Sequence, residues 1–174
     1  MNKTSLGKLE KKELVDLIIE LSKLNKENKV FLDTKLNFDF NDWFNLSCKK
    51  IDKAFSCFEV MCLKDARKAL IDFKKIKPDN SLFIELCLYY IKSAYELEKT
   101  TWRLQENFYT SIEKVYDLVF DIIDKDALLK EKYGVTIKKM INQSNEGFGH
   151  MDYLKDKFRL IIKENKSLKE EGIK

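Results

Sequence analysis

The chain has 174 residues, of which 44% are apolar, 12% aromatic and 36% charged. A chain of this length and apolar content buries a core without metals or disulfides, so intrinsic disorder is excluded and one domain is expected. The formal net charge of +4 resides in residues 1–80, which carry 17 Lys and Arg against 13 Asp and Glu, so any anionic partner is expected on that half.

The N-terminal region predicts an amphipathic helix at about residues 8–24. Its leucines alternate at spacings of three and four residues: Leu14, Leu17, Leu21 and Leu24. A helix with this spacing packs against a neighbour, either within the chain or in a homodimer formed through residues 14–24. A shorter helix follows, and a polar and aromatic connector at residues 37–42 is the best candidate for a minor domain boundary.

A third helix is predicted at about residues 41–56, and a fourth in LKDARKALIDFKKI. At 100° per residue, the fourth helix has an apolar arc and a basic arc on opposite sides. The apolar arc, expected in the core, holds Ala66, Ala69, Leu70, Phe73 and Ile76. The basic arc holds Lys64, Arg67, Lys68, Lys74 and Lys75. The helix is expected to end before Pro78, because a residue that precedes proline is pushed out of the helical region.

The next helix is predicted at about residues 81–98, capped by Asp79, Asn80 or Ser81. It begins SLFIELCLYYI with Glu85 as the one charge in this stretch. A helix that is apolar all round is expected to be central and buried. Further helices are predicted at about residues 105–124, 126–133, 135–146 and 150–163. The polar stretch 163–174 is expected to fray, which leaves residues 1–162 as a single helical domain.

Helical periodicity therefore predicts an all-α fold of about seven to nine helices, packed as helical hairpins in a superhelical or irregular bundle. The four cysteines lack metal-site spacing and are expected in the core as small apolar residues. The stretch ELVDLIIEL is too short and too charged for a secretory or membrane segment. A cytoplasmic protein without membrane contact is expected.

Two resemblances concern whole segments. ARKALIDFKKIKPDN followed by SLFIELCLYYIKSAYE resembles the junction between two tetratricopeptide repeats, over one helical hairpin. A second resemblance, to a family of uncharacterised bacterial proteins with a helical domain of unknown function, spans most of the chain. Its segments are ELVDLIIELSKLNKENKVFLDTKL (13–36), ARKALIDFKK (66–75), LCLYYIK (86–92), FYTSIEKVYDL (108–118) and GFGHMDYL (147–154). It implies a cytoplasmic bacterial helical protein, and it assigns no activity and no catalytic residue.

The basic arc of the fourth helix is one candidate binding surface. A row of cations can follow a phosphate backbone, so Lys64, Arg67, Lys68, Lys74 and Lys75 are candidate nucleic-acid contacts. Such surfaces usually add stacking aromatics and more arginine, whereas this chain has three arginines, and Asp65 and Asp72 flank the arc. A solvated helix face that keeps the protein soluble explains the same pattern.

Glu85 and His150 are the candidate acid–base groups. Glu85 lies either on an exposed edge of its helix or buried and paired, and a buried acid there is a candidate for proton transfer. His150, the single histidine, follows Gly147-Phe148-Gly149, which predicts a joint between two helices with Gly147 as a left-handed cap. The chain lacks the motifs of a serine nucleophile, a phosphate-binding glycine loop and a two-histidine metal site. No catalytic residue, metal or cofactor is therefore predicted.

Trp102 and Phe148 lie in connectors and are candidate aromatic anchors for a partner. Asp152 is expected to complement the positive end of the last helix. The leading hypothesis is a non-catalytic helical interaction or scaffold protein that binds another protein. The alternatives are a nucleic-acid-associated protein that uses the basic face of the helix at 64–77, and an enzyme that uses Glu85 or His150.

Overall fold

Helices follow one another along the chain, as its periodicity predicts. The computed structural model describes residues 3–37, 39–56, 63–101, 104–144 and 146–171, and their side chains between Thr4 and Ile162. In these ranges the chain forms nine α-helices and no strand, which confirms the all-α prediction. None of the helices, as far as they are described, is long and apolar enough to cross a membrane. Their bounds are α1 Lys3–Leu6, α2 Lys11–Leu24, α3 Lys26–Asn37, α4 Asn41–Ser56, α5 Leu63–Lys75, α6 Asn80–Thr100, α7 Glu106–Ile123, α8 Ala127–Asn142 and α9 His150–Glu171.

The chain divides into two units between Leu46 and Ser47. The first unit contains α1, α2, α3 and the beginning of α4, and the second contains the remaining helices. The division falls within α4, whereas the sequence places a boundary at residues 37–42. That connector is short in the structure, because α3 continues to Asn37 and α4 already begins at Asn41.

The first unit is built around a hairpin of α2 and α3. Two asparagines hold its turn: Asn25 Oδ1 accepts from the backbone N–H of Asn28 at 2.8 Å, and Asn28 Nδ2 donates to the carbonyl of Leu21 at 3.0 Å. On α3, Val30 and Thr34 are buried. These side-chain bonds satisfy backbone groups at the helix ends, so the reversal does not depend on a glycine.

In the second unit, α7 is the central helix, and it contacts α5, α6, α8 and α9. It buries half of its residues: Phe108, Tyr109, Ser111, Ile112, Val115, Tyr116, Val119, Phe120 and Ile123. The five predicted core positions of α5 are all buried, which confirms the apolar arc. The prediction of a buried α6 is also confirmed, since nine of its residues are buried.

The seven tyrosines of the chain all lie in the second unit, and every hydroxyl bonds to a side chain of another helix. A buried hydroxyl without a partner costs about 1–3 kcal/mol. These bonds therefore favour one register of the helices over neighbouring ones. The pairs are Tyr89–Asp52, Tyr90–Ser111, Tyr95–Tyr116, Tyr109–Glu98, Tyr133–Glu85 and Tyr153–Asp117.

The prediction of two helices at 126–133 and 135–146 is wrong, because a single helix, α8, takes their place. Gly134 lies inside it. Tyr133, Ile137 and Ile141, spaced by four residues, bury one face of the helix, and this burial outweighs the roughly 1 kcal/mol that glycine costs in a helix. At the start of α8, the carboxylate of Asp126 accepts two backbone N–H bonds.

The ends of the other helices follow from local chemistry. Asp79 is the cap of α6, and its Oδ1 accepts from the N–H of Leu82 at 2.9 Å. After α5, Lys77 reverses the chain with a φ of +56° directly before Pro78. The last helix, α9, runs to Glu171 and includes most of the stretch 163–174 for which a frayed tail is predicted.

Two glycines offer a matched test of backbone conformation. Gly149 has a φ of +70°, whereas Gly134 is helical, and a Cβ at either position would meet no atom within 4 Å. We expect Gly149→Ala to lower the free energy of unfolding by about 1 kcal/mol, because side chains strain the left-handed region. Gly134→Ala should raise it by about 0.5–1 kcal/mol, because alanine favours helix. Denaturant unfolding measures both, and a destabilised Gly134→Ala protein would contradict a continuous α8.

Candidate functional site

The helix α2 carries a broad apolar surface that its own unit does not bury. None of its 14 residues is buried. At 100° per residue, its apolar positions cover about 220° of the circumference, whereas a helix with one neighbour needs about 100°. Of its seven apolar residues, Leu14 alone is half-buried. We call the other six the α2 face, and their side chains are 43–73% exposed: Val15, Leu17, Ile18, Ile19, Leu21 and Leu24.

The structure gives the five cations of the predicted basic arc different surroundings. The Lys74 Nζ atom lies 5.3 Å from the centroid of the Phe83 ring, which suits a cation–π contact. Lys75 forms an ion pair with Asp72 at 2.8 Å, and Lys68 is exposed. The remaining two cations, at the start of α5, turn toward α7. The arc is therefore not one uniform charged surface.

Lys64 and Arg67 line a cavity of about 530 Å³ between the beginnings of α5 and α7. We call it the α5–α7 cavity. The Nε of Arg67 is buried and has no hydrogen-bond partner among the described residues. The Oγ of Ser111, also in the lining, is 2.8 Å from the hydroxyl of Tyr90. The helix α7 contributes further polar side chains to the lining: Glu106, Thr110 and Lys114.

Sequence reasoning missed Lys114 as a member of this cavity. A signal was present, because Asn107, Ser111 and Lys114 recur at i, i+4 and i+7 and so form a polar stripe on one side of α7. That stripe meets Lys64 and Arg67 only because α5 packs against α7. No pattern within the sequence specifies this pairing of helices.

The joint before α9 is a short 3₁₀ turn at Gly147–Gly149. The left-handed residues are Phe148, with a φ of +56°, and Gly149, so the prediction of Gly147 as the left-handed cap is wrong. The reason is that α8 already ends at Asn142, and the reversal is made next to α9 instead. Phe148 is 65% exposed, as predicted, and its ring centroid lies 5.5 Å from that of Tyr109.

His150, the first residue of α9, is completely buried. Its Nδ1 is 2.9 Å from Oε1 of Glu113 in α7, and its Nε2 has no partner among the described residues. An ionised carboxylate only accepts hydrogen bonds, so Nδ1 is the donor and Glu113 fixes the ring. An imidazole oriented in this way resembles a general base. Because the ring is fully enclosed, a substrate has no access to it, and the pair anchors α9 to α7.

Glu85 is exposed, so of the two alternatives at this position the structure has the exposed edge and not the buried acid. Its Oε1 accepts from the hydroxyl of Tyr133 at 2.8 Å and lies 3.7 Å from Nζ of Lys132. Glu85 faces the edge of α8, where solvent reaches it. Since its partners belong to α8 and those of His150 to α7, the structure does not bring the two candidate acid–base groups together.

The remaining candidates have simple surroundings. Asp152 is exposed in the first turn of α9, as the helix dipole favours. Trp102 lies outside the described residues, as do Cys57 and Cys62. Burial raises the pKa of the Cys48 thiol to about 11, so this cysteine is a poor nucleophile at neutral pH. Among the described side chains, no group of three or more His, Cys, Asp and Glu is placed to hold a metal ion.

Comparison with other proteins does not assign the chain to a family. No family model, no curated protein and no solved structure matches it. Function therefore has to be inferred from the two surfaces that stand out, the α2 face and the α5–α7 cavity.

Substitution of His150 tests its role as an anchor. We expect His150→Ala to lower the free energy of unfolding by about 2–4 kcal/mol, because it opens a cavity and leaves Glu113 without its partner. Asp152→Ala, two residues further along the same helix but exposed, serves as the control and should cause a much smaller loss. Chemical denaturation compares them, and equal stabilities for the two variants would argue against the anchor.

A pH titration tests the buried tyrosines. Burial, and next the hydrogen bond to Glu98, raise the pKa of Tyr109 to about 12, against about 10 in an unfolded chain. Below pH 10 both states keep the phenolic proton. Between pH 10 and 12 only the unfolded state loses it, so the free energy of unfolding should fall as the pH rises. In urea titrations at several pH values, Tyr109→Phe should make the free energy of unfolding fall less steeply with pH. An unchanged dependence on pH would refute the raised pKa of Tyr109.

Proposed function

We propose that the protein is a non-catalytic helical interaction protein, and that its α2 face binds a second copy of the chain. The exposure of this face is the observation that supports the proposal. Six large aliphatic side chains, each at least 43% exposed, present several hundred Å² of apolar surface. A soluble monomer rarely leaves a continuous patch of this size uncovered, and such patches mark interaction sites.

The size of the surface suits a dimer. A specific interface takes about 800 Å² from each partner, and about 1,000 Å² in total is the lower bound for a stable one. The α2 face supplies a large part of this area, and the same hairpin also exposes Phe31 and Leu36 of α3. Two copies of the face therefore provide an interface of ordinary size.

Charge favours a second copy over a charged partner. The helix α2 carries three cations, Lys11, Lys12 and Lys23, and three carboxylates, Glu13, Asp16 and Glu20. Its formal charge is therefore zero, so two copies meet without net repulsion. A partner that was strongly acidic or basic would be expected to face a complementary charged rim. The alternating spacing of the leucines also lets the same surface serve both partners around a twofold axis.

The other two hypotheses draw less support. A nucleic-acid surface on α5 needs a continuous row of available cations, whereas Lys74 and Lys75 are engaged with Phe83 and Asp72. An enzyme built on His150 needs substrate access to a ring that is completely buried.

One charge on the α2 face should abolish dimer formation. We expect the wild-type protein to sediment as a dimer and Leu21→Glu to sediment as a monomer. The substitution places two carboxylates per dimer in an apolar interface, so the dissociation constant should rise at least about 100-fold. Leu128→Glu introduces the same change at a site in α8 that is 78% exposed, and it should leave the dimer intact.

Sedimentation velocity over a wide concentration range gives the masses, and circular dichroism verifies that the variants are helical. Since Leu21 is 44% exposed, its replacement should not unfold the chain. A wild-type protein that is monomeric at every concentration would overturn the proposal. An equal effect of Leu21→Glu and Leu128→Glu would also do so, because it would show that the α2 face is not the contact.

A further inference from the structure

We infer that the α5–α7 cavity binds the phosphate group of a small phosphorylated molecule. The inference is independent of dimer formation, since the cavity lies entirely in the second unit. It depends on four features of the lining: the charge, the guanidinium of Arg67, the hydroxyl groups and the volume.

The charge of the lining matches a phosphate monoester. In the part of the lining that the structure describes, Lys64, Arg67 and Lys114 contribute three positive charges, and Glu106 contributes one negative charge. The formal balance of two positive charges complements a monoester, which carries about −1.5 to −2 at neutral pH. Among the described residues, none of the three cations forms an ion pair. Their charges are therefore available to an anion.

The side chain of Arg67 brings a guanidinium to the cavity. Its Nε is buried, whereas its two terminal nitrogens are neither buried nor bonded to a described residue. An anion can therefore reach this group through the terminal nitrogens. Arginine is also the side chain whose planar fork best matches phosphate oxygens.

The two helices place further donors around the cavity. The hydroxyls of Thr110 and Ser111 belong to its lining, and Tyr90 holds the Ser111 hydroxyl at 2.8 Å. Leu63 lines it as well, and so does Glu106, which begins α7. The first turn of a helix has free backbone N–H groups and the positive end of the dipole, both of which favour a phosphate.

The volume indicates that the phosphate is part of a larger molecule. At about 530 Å³, the cavity falls within the range of about 300–1,000 Å³ that is usual for small-molecule sites, and a free phosphate ion would leave much of it unfilled. A small polar phosphate monoester fits these properties best.

Calorimetric titration with glycerol 3-phosphate, inorganic phosphate and sulfate tests the inference on the full chain. Glycerol 3-phosphate should bind most tightly, because it fills more of the cavity. Its affinity should fall as the pH is lowered through about 6, where the monoester becomes a monoanion. It should also fall at high salt. Equal affinities for the monoester and for inorganic phosphate would identify free phosphate as the ligand. They would contradict the inference that the phosphate is part of a larger molecule.

Matched variants locate the site. Lys114→Met should weaken binding about 10-fold, since it removes one charged hydrogen bond. Glu106→Gln should tighten it roughly 3-fold by removing a like charge. Lys68→Met, an equal change on α5 outside the cavity lining, should have no effect. All three residues are exposed, so the variants should fold.

The opposite signs of the Lys114 and Glu106 effects separate this site from general attraction to a basic protein. The inference fails if no phosphate compound binds, or if Lys68→Met and Lys114→Met weaken binding equally. It also fails if a single-stranded oligonucleotide binds far more tightly than the monoester, because that result would indicate a nucleic-acid surface.

Discussion

The apolar face of α7 is the constraint on which the second unit depends. Four helices, α5, α6, α8 and α9, contact α7, and the burial of its apolar residues fixes where each of them lies. The polar residues at the borders of this face then meet specific partners. Ser111 meets Tyr90 of α6, and Glu113 meets His150 of α9. Lys114 reaches the cavity shared with α5. One packing arrangement therefore positions both the anchor of α9 and the proposed phosphate site.

The first unit, in contrast, leaves the apolar residues of one of its helices uncovered. In α2 the apolar residues exceed what one neighbouring helix can cover, so the stabilisation available from their burial is only partly used. A second copy would use the remainder. A dimer formed in this way carries two α5–α7 cavities, one from each chain.

Periodicity within one helix was sufficient to predict much of the fold. The core arc of α5 and the buried α6 follow from the spacing of apolar residues, and the bounds of α4 agree with its pattern. The two helices predicted in place of α8 meet at Gly134, where burial of one face maintains a single helix. The cavity was not predicted, although two of its cations belong to the predicted basic arc. Lys64 and Arg67 are three residues apart on one helix, but Lys114 joins them through tertiary packing, which no local pattern encodes.

The distribution of the tyrosines along the chain determines which unit a tyrosine signal reports on. All seven tyrosines belong to residues 89–153, so the first unit contributes no tyrosine signal. Trp43, in contrast, belongs to the first unit and is largely buried, with the Phe31 ring at 6.0 Å. Near-ultraviolet dichroism from tyrosine therefore reports on the second unit alone. Each unit contains one tryptophan, so it is tyrosine alone that separates the α7-centred bundle from the hairpin that precedes it, without any label.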